Sequence, residues 1–169
     1  MEFLELCKER YSVRSFSDRT VPSELLNQIL EAGRVAPTAK NQQPQRIYLL
    51  ESEEALAKLR AVHRCYDAPT VMIVCGDTEA ACCPPLVSHN LAEMDASIVA
   101  THMMLAATAV GLGSVWICAF DNDAVAKAFD LPAHIKPYLL LPIGYPSDTC
   151  EPNPRHTMRE PLEKTVTRL

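Results

Sequence analysis

The chain has 169 residues, 48% of them apolar or aromatic, which suits one domain with its own core and excludes wholesale disorder. Twenty-one acidic against 16 basic residues leave a formal charge of −5, which argues against nucleic acid or an anionic membrane as the main partner. The opening MEFLELCKERYS lacks the basic-then-apolar order of a signal peptide, and the longest apolar runs fall short of the ~20 residues that cross a bilayer. A cytoplasmic protein with no membrane partner is expected.

Along the chain, Glu2 to Arg10 reads as a short helix with Phe3, Leu6 and Cys7 on one side. A second helix is predicted from Pro22-Ser23, because proline is tolerated in a first turn, with Leu25, Leu26, Ile29 and Leu30 as its buried stripe. Pro37 ends that pattern, and Ala36 to Gln45 (APTAKNQQPQ) is predicted as a loop. A strand over Arg46 to Glu51, a short helix over Glu53 to Arg60 and a central strand over Thr70 to Cys75 (TVMIVC) follow. Thr78 to Glu93, interrupted by Pro84-Pro85, reads as a loop or lid.

The longest helix is predicted over Asp95 to Val110. It is apolar on nearly every side, which suits a core or a subunit interface, and Gly111 can end it at positive φ. Ser114 to Ala119 (SVWICA) is predicted as a buried strand. Asp121 is a candidate N-cap for a helix with Val125 and Phe129 facing inward. Tyr138 to Ile143 is the last predicted strand, and Pro142 would put its end at an edge or a bulge. The expected fold class is α+β, a single domain over 1–169 with helices around a sheet of four or five strands. GxGxxG, a Walker loop, HExxH and GxSxG are all missing, so a doubly wound nucleotide fold is not expected.

The seven cysteines (Cys7, Cys65, Cys75, Cys82, Cys83, Cys118 and Cys150) include no CxxC. Four lie in or beside hydrophobic segments, where a reduced thiol acts as a small core residue, so no disulfide framework is expected. Cys82-Cys83, with His89 the nearest histidine, matches no common zinc spacing, and no metal is expected.

Two polar segments could carry chemistry. Arg10, Ser12 and Arg14 offer two donor forks and a hydroxyl within five residues, a set able to hold a phosphate or an electron-rich ring edge. Composition alone favours a solvated helix end, with Arg10 complementing the helix dipole. Pro37-Thr38-Ala39-Lys40-Asn41 is equally an ordinary connection or a place where a flat ligand meets the backbone.

RYSVRSF at Arg10–Phe16, APTAKNQQP at Ala36–Pro44, GLGSVWI at Gly111–Ile117, LPIGYP at Leu141–Pro146 and REPLE at Arg159–Glu163 resemble, in this order, the motifs of the nitroreductase family. The resemblance covers almost the entire chain. It implies a nitroreductase-like α+β fold, with a central and mostly antiparallel sheet flanked by helices, and a homodimer that binds two FMN molecules at its interface. Arg10, Ser12 and Arg14 would hold the phosphate, the ribityl chain and the polar edge of the ring, with Tyr11 and Val13 adding backbone or packing contacts. Pro37, Thr38, Ala39 and Asn41 would reach the same flavin from the other subunit. Trp116, Ile117 and Cys118 match the strand end beside the ring, near N5. Arg159 would complete the phosphate clamp, and the tail from about residue 147 to 169 would pack on the partner.

The activity implied is ping-pong hydride transfer from NADH or NADPH through flavin N5 to a nitroaromatic, quinone or similar electron-poor acceptor. No side-chain nucleophile is needed, and Arg14 would tune the flavin. A specialised flavin reaction, such as reductive dehalogenation or flavin fragmentation, and a flavin-binding storage or regulatory protein are the alternatives. Two departures bear on substrate: Gln45 stands where many relatives carry an aromatic, and Cys118 where many carry glycine. Cys118 reads as a steric gate, not a redox centre.

Overall fold

Four strands, β1 (Gln45–Leu50), β2 (Thr70–Asp77), β3 (Gly113–Ser114) and β4 (Ile135–Gly144), form one sheet in the order β1-β2-β4-β3, with every pairing antiparallel. This is a computed structural model, and it describes residues 2–169. β2 is buried along its whole length, which is why it reads as an uninterrupted apolar run and not as an alternation.

The faces of β2 alternate with period two. Met72 and Val74 join Leu26 and Ile29 of α2 (Ser23–Arg34) and Val99, Ala100 and Met103 of α4 (Ala92–Ala109). Val71, Ile73 and Cys75 join Leu56 and Leu59 of α3 (Glu53–Arg60) and Val125 of α5 (Asn122–Ala128). The sheet therefore lies between two helical layers. α1 (Phe3–Glu9) rests on α4 and buries none of its residues, leaving Phe3 70% and Leu4 64% exposed. Beyond Ser147 the chain is largely exposed, with one turn of 3-10 helix at Pro154–His156 and the short α6 (Leu162–Thr165).

The helix ends follow from local chemistry. Ser52 accepts from Ala55 N at the start of α3, and the Asp121 carboxylate accepts from Ala124 N at the start of α5. α4 closes on Gly111 at φ +79, with Gly111 N donating to Thr108 O and Leu112 N to Ala107 O. Those two bonds and the left-handed residue make a Schellman cap.

Three expectations need correcting. α4 begins at Ala92, not Asp95: Asn90 Oδ1 takes the Ala92 N–H, and Asp95 lies buried within the first turn, where its carboxylate accepts from Ala39 N. SVWICA is not a continuous strand. Ser114 pairs with Ile143 and Ile117 with Leu140, in one register. Between them Pro142 has no N–H to offer, so the link at Val115 is a single 3.3 Å bond from Val115 N to Pro142 O. Pro142 itself is not at an edge, since β4 runs between β2 and β3. The irregularity lies elsewhere: Val74 faces Leu139 but Cys75 faces Pro137, so Tyr138 is an inserted residue and packs on the same side as Leu139.

Two seams run along α4. Ala92, Ala96, Val99, Met103 and Ala107 are buried in the chain's own core. Met94, Ile98, Thr101, Leu105 and Thr108, spaced 4-3-4-3, form a second seam that stays half-buried or exposed. All seven cysteines are free. Burial pushes the Cys75 thiol up to about 12, and burial with the neighbouring Asp67 does the same to Cys65, so both are inert at neutral pH. No helix among the described residues is long and apolar enough to cross a membrane.

Candidate functional site

The segment leaving α1 is pinned as an extended strand. Ser12 bridges Ser114 in parallel, Val13 N donates to Ser114 O at 3.0 Å, and Phe16 bridges Pro146. In extended chain alternate side chains share a side. Val13 points into the core, 1% exposed, while Arg10, Ser12 and Arg14 all line one cavity. Gly113 allows the approach: a Cβ there would lie 2.9 Å from Val13 Cβ.

The tail closes that cavity from the other side. Asn153 Oδ1 accepts from Arg155 N at 2.9 Å and shapes the turn that brings Arg155 and His156 inward. The His156 ring stands edge-on to Tyr11, with centroids 6.2 Å apart. Arg159 Nη1 donates to Met158 O at 2.7 Å and Arg155 O at 3.3 Å, which orients its guanidinium. The cavity measures about 250 Å³ and is lined by Arg10, Tyr11, Ser12, Arg14, Asn153, Arg155, His156 and Arg159. Burial, together with the Cys150 thiol, pushes the Tyr11 hydroxyl up, so it remains a neutral donor.

Four guanidiniums and an imidazole meet here without a carboxylate. None of the four arginines takes part in an ion pair among the described residues; the pairs there involve Arg34, Arg46, Arg60, Arg64 and Lys164. In a chain of net charge −5, this donor set fits a dianionic phosphate.

Arg14 also lines a second cavity of about 620 Å³, together with Ser15, Phe16, Asp18, His63, Arg64, Cys65, Tyr66 and Asp67. Arg14 thus borders both the basic cavity and a space of the size that takes cofactor rings. Its wall is unusual. Cys65, Tyr66 and Asp67 all hold left-handed φ values of +51, +57 and +53, a conformation that costs non-glycine residues energy and recurs at ligand sites. Arg64 is tied to Asp67 and His63 Nδ1 accepts from Cys65 N at 3.1 Å, which holds the turn.

The remaining residues implied by the motifs lie elsewhere. Pro37, Thr38, Ala39 and Asn41 do not line either cavity. Their loop is held by Thr38 Oγ1, which accepts from Gln43 N at 3.0 Å, and by the Asp95 carboxylate, which accepts from Ala39 N at 2.8 Å. Ile117 is a core residue, Trp116 is half-buried, and its indole N–H donates to the Sγ of exposed Cys118 at 2.8 Å. One chain therefore gathers Arg10, Tyr11, Ser12, Arg14 and Arg159, and leaves the 37–41 loop and the 116–118 segment apart from them. Sequence reasoning overlooked Asn153, Arg155 and His156. The signal was present as three basic side chains within five residues of an Asn-Pro turn, NPRHTMR. Nothing in the sequence marked His63 or Tyr66.

Comparison with known proteins gives consistent results. The family model described as "Nitroreductase family" matches residues 7–70 and 62–145. A protein of Methanothermobacter thermautotrophicus, provisionally named an NADH dehydrogenase/NAD(P)H nitroreductase, is 33% identical over 156 residues, covering 88% of this chain and 79% of its own. A protein of Bacillus subtilis named FMN reductase [NAD(P)H] is 27% identical over 173 residues, covering 91% of this chain and 70% of its own. The crystal structure of a nitroreductase family protein from Clostridium difficile 630 superposes with a TM-score of 0.93 at 42% identity, over 99% of this chain and 98% of that one.

Proposed function

Because the chain belongs to the nitroreductase family, we propose that it is an FMN-dependent NAD(P)H oxidoreductase whose active unit is a homodimer. The observation that carries this reading is the carboxylate-free cavity of Arg10, Ser12, Arg14, Arg155 and Arg159, with Arg14 also lining a larger one. When bound, FMN supplies the redox chemistry, taking hydride equivalents from NADH or NADPH and yielding them in alternate turns to a nitroaromatic, quinone or similar acceptor.

The side chains bind and orient. Arg10, Arg155 and Arg159 neutralise the phosphate, and the Ser12 hydroxyl adds a short donor. Arg14, which lines both cavities, would hold positive charge for the polar edge of the ring, the part of the flavin that gains electron density on reduction. Tyr11 packs against His156 and keeps the tail turn closed over the phosphate end.

The second seam of α4 supports the dimer. Met94, Ile98, Thr101, Leu105 and Thr108 repeat at coiled-coil spacing on a side of the helix that its own chain covers only in part. A second copy packed there would bring the partner's Thr38, Ala39 and Asn41 to a flavin that one chain holds by its phosphate end and, through Arg14, by one edge of the ring. The tail beyond Ser147 would then pack against both copies.

The test is the absorption spectrum of the purified protein before and after anaerobic addition of each nicotinamide. The expected protein is yellow, releases FMN on heating, bleaches with NADH or NADPH, and recolours on adding a quinone or nitroarene. Bound flavin that neither nicotinamide bleaches would make the protein a flavin binder, and failure to take FMN on reconstitution would refute the proposal.

A further inference from the structure

We infer that Asp95 is a positioning residue: it fixes the 36–43 loop in the one conformation with which that loop meets the flavin held by the second copy of the chain. The inference rests on the function proposed above.

Asp95 is 2% exposed and sits in the first turn of α4, away from both arginine-lined cavities. Its Oδ1 accepts from Ala39 N at 2.8 Å. Its Oδ2 is buried and has no hydrogen-bond partner, and no cation pairs with it among the described residues. A buried carboxylate with a single donor is a costly way to fill space, since an apolar side chain packs there without losing hydration. The one thing Asp95 does that an apolar residue does not is to hold the Ala39 amide.

That amide lies at the entrance of a strained turn. Lys40, Asn41 and Gln43 have φ of +51, +55 and +51, where non-glycine residues persist only when surrounding bonds over-determine them. Arg46 Nη1 and Gln43 Nε2 donate to the Gln43 and Asn41 carbonyls, and two side-chain oxygens hold N–H groups of the turn: Thr38 Oγ1 accepts from Gln43 N, and Asp95 Oδ1 accepts from Ala39 N. The first is local and travels with the loop. The second ties the loop to the longest helix, so Asp95 sets its position relative to the α4 seam on which a second copy would pack.

The experiment compares wild type, Asp95→Ala and Asp95→Asn, with two readouts. Amide hydrogen exchange on the flavin-free protein follows residues 38–43 against β2, and fluorescence titration gives the FMN dissociation constant well below each variant's melting temperature. Asp95→Ala should speed exchange in the loop about tenfold or more, leave β2 unchanged, and raise the FMN dissociation constant about tenfold. Asp95→Asn keeps an acceptor for Ala39 N and should recover both values to within about threefold. If the alanine variant does not fold, Ala39→Pro removes the same N–H from the loop side. Thr38 is already extended (φ −132, ψ 159), as a residue before proline must be.

Unchanged loop exchange overturns the inference, and so does a loosened loop with unchanged FMN affinity. A variant that loosens loop and core together shows a structural role and also overturns it. Wild-type protein that takes no FMN refutes the proposed function and with it the flavin half of this inference. Wild-type binding with unaffected variants refutes the role of Asp95 alone.

Discussion

Removing the Arg14 side chain tests the site at the one residue that lines both cavities. In the ligand-free chain Arg14 is exposed and makes one long contact, Nη1 to Ser12 O at 3.5 Å, with no ion pair. Arg14→Ala should therefore leave thermal stability unchanged, and any effect reports on the ligand. A hydrogen bond to a charged group contributes about 1.5–3 kcal/mol. Arg14 is well hydrated before binding, so the low end applies, ~1.5 kcal/mol, or about tenfold in the dissociation constant. The assay is quenching of FMN fluorescence by flavin-free protein at low and high ionic strength. Wild type should lose more affinity with salt than the variant, which has one charge fewer to screen. Arg10→Ala should match the affinity loss, but only Arg14→Ala should also slow bleaching by nicotinamide, because Arg14 alone of the arginines lines both cavities. Affinity within about twofold of wild type, with an unchanged bleaching rate, would return Arg14 to the solvated surface and refute the reasoning.

The N–H groups of Ala80 and Glu79, and then Arg46, hold the Asp77 carboxyl below its usual range. Its stabilisation is complete above the ordinary carboxylate value of about 4 and is lost as pH falls through the lowered folded value; Asp77→Asn should flatten the acid limb of the urea midpoint, and an identical limb would discount the contacts. Cys118→Gly should keep or raise turnover of a bulky quinone relative to a small one, and Cys118→Ser should leave nicotinamide oxidation intact, because the exposed thiol is oriented by the Trp116 N–H; equal losses on both acceptors remove the gate. Gly113→Ala would force a Cβ to within 2.9 Å of Val13 Cβ. Overpacking of this kind costs about 1–3 kcal/mol, so the melting temperature should fall by several degrees and FMN affinity with it; an unchanged melting temperature would mean that Val13 gives way freely.

What was legible in the sequence was what neighbouring residues decide. α3 lies where its charges and Ser52 cap put it, and the run TVMIVC could be nothing but a strand covered on both faces. The misread features were decided at a distance. The sequence puts the start of α4 at Asp95, but Asn90 takes the Ala92 N–H, and Asp95, inside the first turn, accepts from the amide of a loop more than fifty residues earlier. SVWICA has the composition of a strand, but its ladder depends on an N–H that Pro142, on the facing strand, does not have. The site divided in the same way. Arg10, Ser12 and Arg14 share one side because the segment is extended, and that spacing could be read directly. Arg155 and His156 join them only because the tail folds back across the start of the chain, which no local pattern encodes.

The contrast between an acidic chain and a basic cavity also bears on how the tail is held. Arg10, Arg14, Arg155 and Arg159 carry the same charge around one small space, and no acidic side chain lines it. Unliganded, they repel one another across water, and the tail that carries Arg155 and Arg159 is almost wholly exposed, meeting the start of the chain at Tyr11 through His156 and Cys150. A dianion converts that repulsion into attraction between the first and last parts of the sequence. On the proposed function, the FMN phosphate would also hold the tail in place, and ligand binding would stabilise that arrangement in proportion to the logarithm of ligand concentration over its dissociation constant. The cluster would thus be unfavourable for the free chain and favourable with a phosphate ligand, which is why the charge of this corner, and not the net charge of the protein, supports the proposed cofactor.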